Sequence, residues 1–246
     1  MKIFTKILNK FLKIYNLKII SQNNFKNDPD YIALIKSIIG NQNLTIFDIG
    51  AHRGESVESF NNYFNNPKIF SFEPFKESFE ILSVNASKFT NTKIFNFGLS
   101  NFNGKETFNS YVDPKNPNIS AVNSILELNN GNFIPTYSYN QKVECKFMEL
   151  DSFVEQNDIS HIDLLKIDAQ GTEFRVIEGA NKSLKNNKIK CVLIEIMIAD
   201  YYKEQKSFDF YLNLFKDYEY ELKGFFNLIS NKDKSLLYLD AVFSKS

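Results

Sequence analysis

The sequence has no tryptophan and only two cysteines and two histidines among its 246 residues. Cys145 and Cys191 lie far apart without a CxxC spacing, which excludes a disulfide framework and a four-cysteine zinc site. His52 and His161 are too few for a histidine-based metal centre. We therefore expect a reduced, cytoplasmic protein in which Cys191, at the start of an apolar run, is a core residue.

The sequence also lacks an excess of charge of either sign. Its 29 basic residues balance 29 acidic ones, so the net charge is zero. Arg53 and Arg175 are the only arginines, and the other basic residues are lysines. A protein that binds nucleic acid usually carries a basic surface, and we therefore expect no nucleic-acid partner.

The amino-terminal segment is the exception to this balance. Residues 1–26 contain six lysines and no acidic residue, but no apolar run as long as a signal peptide or a transmembrane helix. Apolar residues recur at helical spacing, which predicts a basic amphipathic helical extension over residues 1–40. This helix either packs on the following domain or lies on an anionic membrane surface at the periphery of the cytoplasm. The apolar residues are Phe4, Ile7, Leu8, Phe11, Leu12 and Tyr15.

Residues 41–246 alternate apolar runs of strand length with segments of helical period, which predicts one α/β domain with a doubly wound, mostly parallel sheet. Predicted strands are Leu44–Asp48, Lys68–Phe72, Lys93–Phe97, Ile162–Ile167 and Cys191–Met197. Predicted helices are Glu55–Phe64, Phe75–Phe89, Thr172–Lys185 and Ser207–Asp217. Tyr218–Lys223 and Leu236–Phe243 predict a C-terminal antiparallel hairpin.

One stretch interrupts this alternation. Residues 102–140 are rich in Asn, Ser, Pro and Gly, and Pro114, Pro117 and Pro135 break regular structure there. We interpret the stretch as an inserted loop on the side of the sheet where ligands enter.

The turn after the first predicted strand has the pattern Asp48-x-Gly50-x-x-x-Gly54. Glycine allows the chain to turn sharply and lets a ligand approach the backbone closely. The first turn of the next helix has unpaired N–H groups that can donate hydrogen bonds to that ligand. A dinucleotide fingerprint needs further glycines where this chain has His52 and Glu55. An acid at the end of the second strand, Glu73, can accept both hydroxyls of a ribose in either kind of cofactor. The glycine pattern therefore favours S-adenosylmethionine over NAD.

Two more acidic residues follow or end predicted strands. Asp168 comes after the fourth strand, where it either serves catalysis or caps the next helix beside Glu173. Glu195 lies in an apolar strand, where a buried carboxyl group must be paired with another polar group or have a functional role. Asp168 is our first candidate for the base that takes a proton from a hydroxyl acceptor, or for a Mg²⁺ ligand, and Glu195 is the second.

The order of these motifs resembles the FkbM family of methyltransferases. The resemblance covers roughly residues 44–200, and its most specific part is Leu164–Ala180, LLKIDAQGTEFRVIEGA. It implies a class I methyltransferase (Rossmann-like) fold, S-adenosylmethionine as cofactor, and O-methylation of a hydroxyl on a sugar, lipid-linked glycan or natural product. By position it implies cofactor contacts from Asp48, Gly50, Ala51, His52, Arg53, Gly54, Ser56, Glu73, Pro74, Phe97, Gly98 and Leu99.

The chain departs from the family pattern at two places. Ala169-Gln170 stands where Val-Glu is usual, which removes a carboxylate beside Asp168 and weakens the case for Mg²⁺. His52-Arg53 stands where Asn and an apolar residue are common. N-methylation of a small molecule or peptide, and a degenerate module that binds cofactor without turnover, remain the alternatives.

Overall fold

The computed structural model describes residues 29–112, 122–129 and 138–245. Residues 1–28 lie outside this part, so the helix predicted over residues 1–26 stays a prediction. The described part of the predicted extension, residues 29–40, contains helix α1, Asp30–Ile39. None of the described helices is both long and apolar enough to cross a bilayer.

A seven-stranded sheet forms the centre of the domain. Its strand order is β3-β2-β1-β7-β8-β10-β9, and the first five strands of this order run parallel. Strand β10 pairs antiparallel with both β8 and β9, so the chain ends in a hairpin. The strands are β1 (Thr45–Ile49), β2 (Lys68–Phe72), β3 (Thr92–Phe95), β7 (Ile162–Ile167), β8 (Ile189–Met197), β9 (Glu221–Ser230) and β10 (Leu236–Ser244).

Helices cover both faces of this sheet because each has an apolar stripe at helical spacing. On one face, Ile32, Ile35 and Ile39 of α1 pack with Phe60 and Phe64 against the sheet. The other face packs against the four described helices that lie between Leu150 and Asp217. After α1, the helices are α2 (Glu55–Tyr63), α3 (Lys76–Ala86), α4 (Leu150–Gln156), α5 (Glu173–Gly179), α6 (Asn181–Lys185) and α7 (Phe208–Asp217).

The observed architecture confirms the fold predicted from the sequence, a doubly wound, mostly parallel sheet with a C-terminal antiparallel hairpin. The predicted helix Thr172–Lys185 is two shorter helices, α5 and α6, which meet at Ala180. Ala180 is fully buried and faces the core at this junction.

A second sheet of three strands was not predicted. Its order is β4-β6-β5, formed by Gly98–Ser100, Ser138–Glu149 and Gly104–Val112. Both ends of the stretch 102–140, predicted as an inserted loop, are therefore strands, and only residues between them remain outside regular structure or outside the described part. The signal was weak because β6 is mostly exposed and polar and buries few side chains, among them Cys145 and Phe147.

Candidate active site

A cavity of about 810 Å³ opens at the carboxyl ends of β1, β2, β7 and β8. This is the edge where ligands bind in open α/β sheets. Ten of the residues predicted for the site lie in its wall, whereas Asp48, Arg53, Gly54 and Phe97 do not. The ten are Gly50, Ala51, His52, Ser56, Glu73, Pro74, Gly98, Leu99, Asp168 and Glu195.

Phe97 and Arg53, which lie outside the cavity wall, make contacts elsewhere in the fold. Phe97 packs in an aromatic cluster, with its ring centroid 5.7 Å from Phe72 and 5.6 Å from Phe95. The backbone N–H of Arg53 donates to Glu55, and its carbonyl accepts a hydrogen bond from the Asn85 amide. Phe97, predicted for the adenine wall, therefore lies outside the cavity wall, whereas its neighbours Gly98 and Leu99 line it.

Gly50 is required by the protein backbone itself. Its φ of 72° is in the left-handed region, and a Cβ added there would lie 1.8 Å from the carbonyl oxygen of Asp168. The turn after β1 thus packs directly on the loop after β7. The sequence suggested that the absence of a side chain at Gly50 leaves room for a ligand. In the structure it leaves room for the loop after β7.

Asp48 is completely buried beneath the cavity. Its Oδ2 accepts hydrogen bonds from the Ser56 hydroxyl at 2.6 Å and the Ser71 hydroxyl at 3.3 Å. Its Oδ1 lies 3.2 Å from Nζ of Lys166. Asp48 therefore acts on the cavity through Ser56 and Lys166, both of which line it.

Lys166 is a functional residue that the sequence reasoning missed. Its side chain is 13% exposed, donates to the Gly50 carbonyl at 2.8 Å, and lies 3.5 Å from Oδ2 of Asp168. Burial opposes the charge, but the carboxylates of Asp48 and Asp168 outweigh it and raise the pKa of Lys166 above its ordinary value. The signal that could have identified it is a lysine near the end of a predicted buried strand, two residues before Asp168.

Glu73 is buried at the end of β2, in the cavity wall. Its two carboxylate oxygens accept hydrogen bonds from the backbone N–H groups of His52 and Phe75, both at 2.9 Å. Burial raises the pKa of Glu73 to about 7, although these hydrogen bonds partly oppose the shift. Glu73 therefore joins the turn after β1 to the end of β2 and changes charge near neutral pH.

His52 shapes the same side of the cavity. It has a φ of 46°, and its Nδ1 lies 3.5 Å from a carboxylate oxygen of Glu55 at the start of α2. The hydrogen bond with His52 is the main cause that lowers the pKa of Glu55 to about 2. The first turn of α2 thus keeps a negative charge at the cavity mouth, next to the helix N-terminus that favours it.

Asp168 and Glu195, the two predicted catalytic residues, meet at a single amide. Nε2 of Gln170 donates to Oδ1 of Asp168 at 2.8 Å and to Oε2 of Glu195 at 3.2 Å. The Asp168 side chain is 32% exposed and lies in the cavity wall. Burial, and then the nearby Asp168 carboxylate, raise the pKa of Glu195 well above its ordinary value. The pair therefore combines a partly exposed carboxyl group in the cavity wall with a second carboxyl group whose neutral form is favoured.

The helix-cap interpretation of Asp168 is wrong. The residue at the cap position of α5 is Thr172, and the Asp168 side chain contacts Gln170 and Lys166 instead. The loop is held by Glu173, whose Oε1 accepts from the N–H groups of Ala169 and Gly171, both at 3.0 Å. Glu173 is buried and outside the cavity wall, so its position in the motif serves the structure of the loop.

The surroundings of Asp168 do not fit a metal ion. Within the described residues, no three His, Cys, Asp or Glu side chains are grouped closely enough to bind one. The Asp168 oxygens already face an ammonium group and an amide N–H, from Lys166 and Gln170. Magnesium binds sets of oxygen ligands, so the predicted Mg²⁺ at Asp168 has no structural support.

The same cavity does fit S-adenosylmethionine. The volume is within the range of small-molecule and cofactor sites. Glu73, predicted as the ribose ligand, places a buried carboxyl group in the cavity wall, and Gly98 adds a backbone surface without a side chain. A Cβ on Gly98 would lie 2.5 Å from the Phe147 ring, so this residue must stay small.

Several solved structures of low sequence identity are similar to this chain. A putative rRNA-methylase from Clostridium thermocellum superposes with a TM-score of 0.50 at 8% identity, over 94% of this chain and 100% of that one. Aeropyrum pernix fibrillarin with natively bound S-adenosyl-L-methionine gives a TM-score of 0.45 at 12% identity, over 87% and 73% of the two chains. No curated protein matches the sequence significantly.

A protein-family model matches most of the sequence. The model of the methyltransferase FkbM domain matches residues 48–222, well over half of the chain. The match begins at Asp48 and includes Glu73, Asp168 and Glu195, which the structure brings to one edge of the sheet. The chain therefore belongs to the FkbM family of S-adenosylmethionine-dependent methyltransferases.

Proposed function

We propose that this methyltransferase methylates a hydroxyl group of a small molecule, sugar, glycan or lipid-linked acceptor. The observation that carries the proposal is the partly exposed carboxylate of Asp168 in the cavity wall, 3.5 Å from the Lys166 ammonium. A hydroxyl must lose its proton as it is methylated, and a positioned carboxylate is a suitable base. The Lys166 ammonium places a positive charge beside this carboxylate.

The cofactor would be held by the turn after β1, the end of β2 and the start of β4. Glu73 would accept the ribose hydroxyls, Gly98 and Leu99 would face the adenine, and the backbone near Gly50 and Ser56 would contact the methionine end. S-adenosylmethionine supplies an electrophilic methyl group on its sulfonium. The protein contributes orientation of the acceptor and exclusion of water, which lower most of the barrier in such a transfer.

Asp168 takes the acceptor proton, and Glu195 lies on the other side of the Gln170 amide. Glu195 is mostly buried, and its pKa is raised by burial and by the Asp168 charge. A raised pKa favours the protonated form of the carboxyl group, which can donate a hydrogen bond but cannot take a proton. The two predicted catalytic residues therefore have different roles in the proposal.

The remaining wall of the cavity supports an acceptor with both apolar and hydroxyl-bearing parts. Tyr31, Tyr201 and Tyr238 contribute aromatic rings, and Met197 adds an apolar side chain. Aromatic surfaces combined with a few polar groups are typical of small-molecule sites. The zero net charge of the chain also supports a small acceptor over nucleic acid.

The test is a transfer assay with S-adenosylmethionine labelled in its methyl group. The purified chain is incubated with free sugars, lipid-linked glycans, polyhydroxylated natural products and primary amines, and labelled products are identified by mass spectrometry. We expect label on a hydroxyl oxygen, and much less with Asp168→Asn. Label only on nitrogen would contradict the proposal. S-adenosylhomocysteine binding without transfer to any acceptor would instead support a degenerate cofactor-binding module.

A further inference from the structure

Gln170 occupies a central position that the proposed reaction does not yet explain. We propose that Gln170 is a positioning residue that presents Asp168 as the charged member of the Asp168–Glu195 pair, through an amide oriented by Tyr202. The inference rests on the proposed role of Asp168 as the base.

The two hydrogens of one amide nitrogen serve the two carboxyl groups. Nε2 of Gln170 lies 2.8 Å from Oδ1 of Asp168 and 3.2 Å from Oε2 of Glu195. The shorter hydrogen bond goes to Asp168, and a hydrogen bond to a charged acceptor is the stronger kind. The amide therefore stabilises negative charge on Asp168 in preference to Glu195.

The orientation of this amide is set from its other end. The Tyr202 hydroxyl lies 2.9 Å from Oε1 of Gln170 and 3.1 Å from the Val122 carbonyl oxygen, so the shorter contact of its single hydrogen is with the amide. The carbonyl end of the Gln170 amide therefore faces a donor. A flipped amide would point its oxygen at two carboxyl groups and lose both donated hydrogen bonds. Tyr202 is itself buried, and its ring is packed against Gly171, where an added Cβ would lie 2.9 Å from it.

The backbone of Gln170 is also held in place. Its φ of 50° is unusual for a residue other than glycine, and such conformations persist where the surrounding structure enforces them. The Ser124 hydroxyl donates to the Gln170 carbonyl at 2.6 Å. Ser124 and Tyr202 come from separate parts of the chain, and both converge on this one residue.

The charged groups around Gln170 favour one negative charge on the pair. The Lys166 ammonium lies 3.5 Å from the Asp168 carboxylate. Glu195 also experiences the charges of Glu173 on α5 and Asp240 on β10, both of which oppose its ionisation. A second negative charge on the pair would therefore be opposed by the first charge and by these two carboxyl groups, and favoured by the Lys166 ammonium.

The experiment follows the side-chain carboxyl carbons of Asp168 and Glu195 by ¹³C NMR during a pH titration, with S-adenosylhomocysteine bound. Spectra of Asp168→Asn and Glu195→Gln assign the two signals. The test variants are Gln170→Leu, which removes the amide, and Tyr202→Phe, which removes only the hydroxyl that orients it. Tyr201→Phe is the matched control, because Tyr201 lines the same cavity.

In Gln170→Leu, Asp168 should titrate about one to two pH units higher than in the unmodified chain, because its carboxylate loses the hydrogen bond that the Gln170 amide donates. Tyr202→Phe should give a smaller shift in the same direction, and Tyr201→Phe none. Unchanged titration of Asp168 in Tyr202→Phe and in Gln170→Leu overturns the proposal. If Gln170→Leu does not fold, the result for Tyr202→Phe decides alone.

This readout needs no methyl acceptor, so it is independent of the transfer assay. A shifted titration in a protein that labels no hydroxyl would support the role of Gln170 and contradict the proposed function. An unshifted titration in an active O-methyltransferase would do the reverse.

Discussion

Asp48 and Lys166 occupy directly paired positions on the adjacent parallel strands β1 and β7, and their charged atoms lie 3.2 Å apart. The pair lies at the edge of the sheet, with Asp48 buried beneath the cavity and Lys166 in the cavity wall. Lys166 continues from there to the Gly50 carbonyl and toward the Asp168 carboxylate. The ammonium group of Lys166, whose side chain is 13% exposed, thereby connects the turn after β1 with the proposed base, Asp168.

Lys166→Met should lower the free energy of unfolding by about 3–5 kcal/mol, because it leaves Asp48 charged and buried without its partner. Urea denaturation measures this change. Lys190→Met is the matched control, since Lys190 is an exposed lysine on the neighbouring strand β8. A loss below about 1 kcal/mol, the usual value for a surface pair, would show that Lys166 is not a structural cation.

The affinity for S-adenosylhomocysteine should increase as the pH rises toward about 7 and then become constant. Burial gives Glu73 a pKa of about 7, and ribose hydroxyls donate to its charged form, so binding must release the proton that Glu73 holds at lower pH. Calorimetry from pH 5.5 to 8.5 measures the affinity. Glu73→Gln should bind more weakly and lose this dependence, whereas a parallel pH dependence in both proteins would exclude Glu73 as its source.

Glu173→Gln should gain stability relative to the unmodified chain as the pH rises. Burial raises the pKa of Glu173 from 4.5 to about 7, so its stabilising contribution is complete below the unfolded value and is lost as the pH rises to the folded value. The difference should change by up to about 1.4 kcal/mol per pH unit between these values. Thermal unfolding at pH 5 and pH 7.5 measures it, and a constant difference would contradict the shift.

Asp168→Asn should lower turnover by roughly 10²–10⁴ with little change in cofactor affinity or melting temperature, because the amide keeps the shape but cannot take a proton. The measurement uses the acceptor found in the transfer assay. Asp200→Asn is the control, because Asp200 is exposed and outside the cavity wall. A near-normal rate in Asp168→Asn would remove the proposed base. EDTA should have no effect on the rate, because the site does not fit a metal.

Removal of residues 1–26 should leave binding of S-adenosylhomocysteine unchanged and reduce binding to anionic vesicles. The six lysines of this segment are expected to interact with phosphatidylserine in a manner that salt weakens. Sedimentation with vesicles of phosphatidylcholine, with and without phosphatidylserine, compares the two proteins. Equal sedimentation of both would leave only a packing role for the predicted helix.

The sequence by itself determined the main sheet and the position of the site along the chain. Apolar runs such as Ile162–Ile167 are long enough and apolar enough to be recognised as buried strands, and the acids Glu73 and Asp168 follow such runs directly. In a parallel sheet these strand ends must meet at one edge. The motif around Leu164–Ala180 then identified the family, which the match over residues 48–222 confirms.

Only the tertiary structure decided how these residues act together. Strand pairing between β1 and β7 places Lys166 beside Asp48, and no local pattern contains that contact across 118 residues of chain. The same applies to Gln170, whose partners Ser124, Glu195 and Tyr202 approach it from distant segments. The strands of the second sheet were hidden because their exposed faces are polar, so their pairing depends on a partner strand and not on a local apolar run.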